Sequence, residues 1–336
     1  MEQVRQAYDV NSWTFYAAFG AVIYIGFGVY DWVILPLIAK LVTGRLPEKA
    51  DKMKEMASID NAFVTFNRLT AIVFVYHAVQ LAVTFLNVNL HDSAALVAAA
   101  WRLPVHLPLI FIIYDFFYTW MHWALHIPGL YPLIHKHHHR QLVPFRGNVD
   151  AINVHPIEYI LGEYDHLWAV FLAAKVVAAF GVAGTAAGTP ALVQTLLGPA
   201  QLHWLTFLAY VVLAGTLSSL NHTRTDVAIP YVYQVWWHDY HHRQPRCNYG
   251  QYVMLWDWLF GWFKPRSVDT RKWTGEITDA NVAKLEGAAP EAPSPKQPAP
   301  AAPVTRGRSK TPRRSATPAK KVSGGRRSAT PAKKRR

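Results

Sequence analysis

The sequence predicts an all-α integral membrane protein: four to five transmembrane or re-entrant helices, a cytoplasmic histidine-rich helical cap and a disordered basic C-terminal tail. Three observations carry that expectation. Long uncharged apolar runs recur along the body, 16 histidines in 336 residues are concentrated in a few short stretches, and the positive charge is gathered at one end. The chain is 51% hydrophobic with 13 Trp, 16 Tyr and 16 Phe, richer in aromatic residues than a soluble enzyme needs. Glu291 to Arg336 holds 14 Lys/Arg and one Glu, which leaves 20 basic and 20 acidic residues elsewhere. The net charge of +13 therefore sits in the tail and says nothing about the body's partners. A single cysteine, Cys247, excludes an intramolecular disulfide and fits a reducing compartment.

Taken in order, residues 1–106 read as membrane anchor helices and a basic loop. The first nine residues lack the basic n-region and small-residue cleavage site of a signal peptide, so the run that follows is expected to stay as an anchor. Trp13 to Ala39 carries one charge, Asp31, over more than the roughly twenty residues that span hydrocarbon. Leu69 to Val88 is uncharged, and a third run extends from about Leu103 to Trp120. No Lys, Arg, Asp or Glu lies between Lys175 and Arg224. There, turn residues from Gly181 to Pro190 separate a helix ending near Gly184 from another over about Leu192 to Leu220. Glu158, Glu163, Asp165, His166 and Lys175 crowd the earlier of these, which suits an interfacial or re-entrant helix.

Loop charges orient the chain. Lys40, Arg45, Lys49, Lys52, Lys54 and Arg68 follow the first anchor, whereas Asn87 to Trp101 and Val176 to Thr223 contain no Lys or Arg. By the positive-inside rule the histidine clusters and the tail face the cytoplasm. Residues 266–290 read as a linker, and 291–336 are too poor in large apolar residues to offset chain entropy. The nine residues Arg313 to Lys321 recur as Arg326 to Lys334. The tail reads as a cationic arm near anionic lipid, releasable by phosphorylation of Ser315 or Ser328. Lys333 and Lys334 also resemble a dilysine retrieval signal of endoplasmic-reticulum membrane proteins, and a nucleic-acid arm is the least favoured reading.

The histidine clusters carry the chemistry. His122 and His126 stack one turn apart if the preceding helix continues. His135, His138 and His139 have the i, i+3, i+4 spacing that can converge, while His137 points away; His238, His241 and His242 repeat it. A lone H-x-x-x-H is more often packing than ligation, but two H-x-x-H-H clusters in one chain reverse those odds. Eight convergent imidazoles exceed the four ligands of a tetrahedral zinc and argue for two ions with open positions. A zinc protease would place Glu directly after the first histidine, and here that position is Trp123. His77, His91, His106, His155, His166 and His203 read as ordinary core, interface or supporting residues.

The order H-x-x-x-H, H-x-x-H-H, H-x-x-H-H set against apolar helices resembles the fatty acid hydroxylase/sterol desaturase superfamily of membrane oxidases. The resemblance covers about Leu107 to Pro265, taken as a catalytic domain over 107–265. His155-Pro156-Ile157-Glu158 resembles the family's segment after the second box. Asn248 to Tyr252, Leu255-Trp256-Asp257 and Phe260-Gly261 resemble the segment after the third box of sterol C-5 desaturases. His222, 16 residues before His238, is similar to that branch's additional histidine and brings the set to nine. Asp226 stands where other branches carry a further histidine. His135 to Arg140 and Gln141 to Phe145 lie closer to the hydroxylase branches, so a sphingolipid or fatty-acyl hydroxylase stays beside the sterol reading.

What the resemblance implies is a centre of two iron ions that uses O₂ and two electrons to desaturate or hydroxylate a membrane lipid. Zinc can replace iron on the same nitrogens. No fused haem module is visible, because the His-Pro pair continues Ile157-Glu158, so electrons are expected from a separate cytochrome b5 and an NAD(P)H-dependent reductase. Arg140, Arg146, Arg224, Arg243 and Arg246 are candidates to dock such a carrier or to meet lipid phosphates. Asp115, His155, Glu158, Asp226, Asp239 and Asp257 are candidate supports for the ligands, Asp115 foremost because an unpaired acid in an apolar helix is costly. Phe116, Phe117, Trp120, Trp236 and Trp237 are candidates to line the substrate path. A zinc-dependent membrane hydrolase and a tail-driven scaffold are the readings from other classes.

Overall fold

The computed structural model describes residues 12–41, 59–89, 91–142, 144–230 and 232–265. The linker, the repeated tail with Lys333 and Lys334, and Arg45, Lys49, Lys52 and Lys54 of the basic loop lie outside the described residues. Helix α1 (Trp13–Val29) runs through a π-helical segment, Tyr30–Ile34, into α2 (Leu35–Leu41). Then come α3 (Asn61–Phe85) and α4 (Ser93–Leu125), capped by Asp60 and Asp92, whose carboxylates accept backbone N–H groups of the first turn. Asp31, the one charge of the first apolar run, accepts from Arg68 of α3 at 2.7 Å. Among the described residues three helices are long and apolar enough to cross a membrane: Trp13–Ile38, Asn61–Phe85 and Ser93–Leu125.

The third of these starts ten residues before the expected Leu103 and is 33 residues long. At 1.5 Å per residue it measures about 50 Å against roughly 30 Å of hydrocarbon. Its C-terminal end carries His122 inside the helix and His126 as its C-cap. A short 3₁₀ helix (His135–Arg140) and α5 (Asn148–Ala151) follow, then α6 (Pro156–Phe180). Pro156 opens α6 at its first turn, and the ring of His155 accepts from Ile157 N at 3.2 Å.

The apolar stretch read as one helix over Leu192 to Leu220 is two, α7 (Ala191–Leu197) and α8 (Trp204–Leu220). Gly198 breaks it with φ +73°, and a Cβ there would lie 2.0 Å from the Arg102 guanidinium. Asn87 then holds the connection, donating from its backbone to Leu202 O and accepting from Trp204 N. At 17 residues α8 falls short of a full span. The earlier helix of that region ends at Phe180, just before the expected Gly184.

Helix α4 packs against α6 and α8, and α3 against α6. Ala169, Ala173 and Ala174 of α6 are buried and let the backbones approach, while Ile110, Tyr114, Tyr210 and Ala214 fill the seam. A two-stranded ribbon, β1 (Ala228–Ile229) with β2 (Tyr233–Gln234), leads into α9 (Val235–Arg243), and α10 (Leu255–Leu259) closes the described body.

Candidate metal centre

All three histidine boxes and His222 come together at the end of α4. The nine rings form two groups, His122, His126, His135, His139 and His241 in one, and His138, His222, His238 and His242 in the other. Within each group the offered ring nitrogens lie within 4.8 Å of one another. The boxes do not each converge on one point, as their spacing suggested. The i, i+4 pairs His122/His126, His135/His139 and His238/His242 stay together, and each i+3 member, His138 or His241, crosses to the other group. Successive residues of a helix project about 100° apart, so positions i+3 and i+4 face different centres. His137 belongs to neither group; its ring meets Asn153 Oδ1 at 3.2 Å and packs on Phe63.

Proton accounting tests whether these rings fit a metal. His122 Nδ1 donates to Tyr249 O at 2.6 Å, His241 Nδ1 to Cys247 O at 2.7 Å, and His222 Nδ1 to Ser218 O at 2.9 Å. A carbonyl only accepts, so in the neutral ring the other nitrogen of each is a bare lone pair. His135 Nδ1 lies 2.8 Å from Glu158 Oε1. Yet His122 Nε2 and His241 Nε2, both bare, belong to one group whose offered nitrogens lie within 4.8 Å of one another, two lone pairs in one buried pocket. A cation between them turns repulsion into ligation, so the residues fit the group that the sequence implies. Neighbouring Nε2 atoms lie 3.0–3.2 Å apart. Nitrogens about 2.1 Å from one ion reach that spacing at angles of about 90–100°, closer than a tetrahedral site sets them.

Burial keeps the rings neutral, as ligation requires. It pushes His138, His241 and His242 well below the usual imidazole value, reinforced by neighbouring rings, and His139 down to about 3.

Of the candidate supports, Glu158 is the one placed against a ligand ring, His135. Asp115 does something else: its carboxylate accepts the backbone N–H groups of Gln251, Tyr252 and Val253 at 2.8, 3.2 and 2.5 Å. That ties the segment after the third box to α4. Asp257 accepts Tyr249 N and Gly250 N, both at 2.7 Å, and a Cβ on Gly250 would lie 2.9 Å from its Oδ2. Together they hold Tyr249, whose carbonyl in turn orients His122. Asp239 is paired with Arg224 and Arg243 instead of a ring. His155 caps α6, and Asp226 is half-buried outside both groups. The carbonyls of Ser218, Cys247 and Tyr249 escaped sequence reasoning, since every residue carries one.

Three of the candidate docking arginines are engaged: Arg224 and Arg243 pair with the buried Asp239, and Arg146 binds Asp150 and Gln141. Arg140 and Arg246 are exposed.

Two cavities flank the rings. A polar chamber of about 160 Å³ is lined by His138, His222 and His238 of the four-histidine group, with Tyr118, Glu163 and Tyr252. An apolar groove of about 1000 Å³ runs along Leu103 to Ile112 of α4 and past Leu217, Tyr233 and Trp258; Tyr252 lines both. Trp237 lines that groove. Phe116 packs on Trp256, Phe117 on Trp168, Trp120 on Trp123 and Trp236 on Tyr240, and none of these four lines either cavity.

The fatty acid hydroxylase model matches residues 107–262, the stretch that holds every ring of both groups. This segment is thus similar to the fatty acid hydroxylase family. A Delta(7)-sterol-C5(6)-desaturase of Nicotiana tabacum is 26% identical over 175 residues, 50% of this chain and 53% of that protein. A methylsterol monooxygenase of Aspergillus fumigatus is 27% identical over 165 residues, 47% of each chain. A very-long-chain aldehyde decarbonylase of Oryza sativa is 23% identical over 159 residues, 44% of this chain and 21% of that one. The chain thus spans about half the length of the sterol relatives it matches. No solved structure gives a significant match.

Proposed function

We propose that the protein is a membrane lipid oxidoreductase that holds two iron ions in its two histidine groups and uses O₂ to desaturate or hydroxylate a sterol-like lipid. The observation that carries this reading is the facing of neutral, bare imidazole nitrogens in groups of five and four within a family of oxidases. Five ligands exceed the four of a tetrahedral zinc site, and the 3.0–3.2 Å nitrogen spacings suit the wider coordination of iron. Bound iron would supply the activation of O₂ that side chains cannot.

The chain's own residues do the rest. Hydrogen bonds from His122, His222 and His241 to backbone carbonyls fix ring tautomer and orientation. The apolar groove accepts the hydrocarbon of the substrate from the bilayer, and Tyr252 divides it from the chamber that reaches His138, His222 and His238. Electrons come one at a time from a separate carrier of the cytochrome b5 type, served by an NAD(P)H-dependent reductase. Similarity to a sterol desaturase and a sterol monooxygenase favours a sterol-like substrate over a fatty-acyl or sphingoid one. Loop charges favour a membrane orientation with the boxes on the cytoplasmic face.

Lipid profiling by mass spectrometry of a null strain complemented with wild type or His138→Ala tests this. A sterol precursor that accumulates in null and mutant alike is the expected result; unchanged lipids with His138→Ala would overturn it.

A further inference from the structure

The two groups differ in how deeply their rings lie. Eight of the nine histidines are buried, and His126 of the five-histidine group is half-buried. Tyr131, also half-buried, covers it: its ring is stacked on His126 at 5.4 Å with the planes 24° apart, and lies 6.2 Å from His135 and 6.0 Å from His139, centroid to centroid. Next to Tyr131 the chain is at the surface, where Leu130 is 40% and Leu133 72% exposed. At this point the centre stands one ring away from its surroundings.

Charge is sorted about the same point. From His122 to Pro265 no carboxylate is exposed, whereas Lys136, Arg140, Arg246, Lys264 and, towards the far end of α6, Lys175 are. Lys136 follows the ligand His135, and its backbone N–H donates to Tyr131 O at 2.8 Å. Arg140 follows the ligand His139, and Arg246 precedes Cys247, whose carbonyl holds His241. The cations next to His222 and His242 of the four-histidine group are disposed otherwise, since Arg224 and Arg243 turn inward onto the buried Asp239. Positive charge thus faces outward beside the five and is neutralised beside the four.

Resting on the proposed function, we infer that this face, Tyr131 and Leu133 with Lys136, Arg140 and Arg246, is where an acidic one-electron carrier protein docks to serve the five-histidine group. Electron transfer between proteins falls steeply with the thickness of protein between the two centres, so a carrier has to meet the centre where its cover is thinnest, and that is over His126. Opposite charge speeds and orients the encounter, and exposed leucine inside a charged rim gives the contact an apolar middle. The electron tunnels directly from carrier to bound ion: the carrier loses one electron, the ion gains one, and no side chain is oxidised or reduced. An anionic bilayer also attracts cations and leucines, but seated here it would cover the thinnest point of the centre and bar the carrier.

The test measures binding with no electron in play. The full chain, iron-loaded and oxidised in nanodiscs of neutral lipid, is titrated with the oxidised haem domain of a cytochrome b5, an acidic carrier. Kd is compared for wild type, Lys136→Glu, Arg246→Glu, the double variant and Lys175→Glu, at matched melting temperature. The expected result is a Kd raised about threefold or more by each of the first two and about tenfold or more by both together, with Lys175→Glu close to wild type and wild-type binding weakened by salt. Wild-type affinity in the double variant, or equal weakening by Lys175→Glu, overturns the inference. Leu133→Cys with a polarity-sensitive fluorophore, the native Cys247 being buried, is expected to report water before the carrier is added and shielding after. A fluorophore already in hydrocarbon assigns the face to lipid and likewise overturns it. A wild type that takes up no reducible iron overturns the proposed function and this inference with it, a result distinct from an iron-loaded protein whose carrier binding ignores Lys136 and Arg246.

Discussion

The five-histidine and four-histidine groups are built from the same residue type and share the 3₁₀ helix and α9, and they differ in what stands behind the rings. Behind the five lie a carboxylate, Glu158, two backbone carbonyls and the Tyr249–Trp262 aromatic pair. Behind the four lie the Ser218 carbonyl and an open chamber shared with Tyr118 and Tyr252. One group is braced and reaches the surface through the ring of Tyr131; the other reaches the space where a substrate can sit. The comparison teaches that a symmetric-looking motif pair, H-x-x-H-H twice, can serve an asymmetric centre, because surroundings and not ligand identity set each site apart.

The sharpest way to break the comparison is to remove one ring from each group. His241→Ala and His138→Ala are each expected to cut turnover by more than the roughly 10–100-fold typical of losing an outer support. Metal analysis separates them: each variant keeps the ion of the untouched group, and loss of both ions from either one would show a single shared site. Next in size, Glu158→Gln should weaken metal binding by about 10–100-fold in the five-histidine group alone. A metal titration resolving two classes of site reads this, and equal weakening of both classes would contradict the assignment.

Asp115→Asn bears on the bracing itself. Its carboxylate takes three backbone N–H groups, and hydrogen bonds to a charged acceptor contribute about 1.5–3 kcal/mol each, so a stability loss of about that size is expected in chemical denaturation. Because the segment it holds carries Tyr249, iron loading of the five-histidine group should fall more than that of the four. The smallest effect is expected from Leu217→Trp, which fills the apolar groove without touching a ring. Overpacking costs about 1–3 kcal/mol, and KM for a lipid substrate should rise severalfold with both ions retained; an unchanged KM would remove the groove from the substrate path.

Much of the site was legible in the sequence because ligation demands a particular side chain. Histidines at i and i+4 announce a shared face, and the same rule marked His137 as an outsider, where the structure has it. Supports were less legible. Asp115 stood out as an acid in an apolar helix, but its partners are backbone N–H groups 136 to 138 residues away, invisible to spacing. The aromatic candidates for the substrate path failed for a related reason: aromatic rings fill cores, interfaces and cavities alike, and of the five only Trp237 lines the groove.

By itself the sequence determined the class of the protein and the inventory of its centre: long apolar helices, three histidine boxes, and the additional His222. The break in the fourth apolar stretch was missed although Gly198 and Pro199 stand in the middle of it, because its continuous hydrophobicity masked the signal. Only the tertiary structure decided how the nine rings divide. Within one helical turn the i+3 and i+4 side chains diverge by about 100°, and whether they meet one ion or two depends on which rings arrive from other helices to face them. Those partners come from four separate segments, and packing α4 against α6 and α8 brings them to one place.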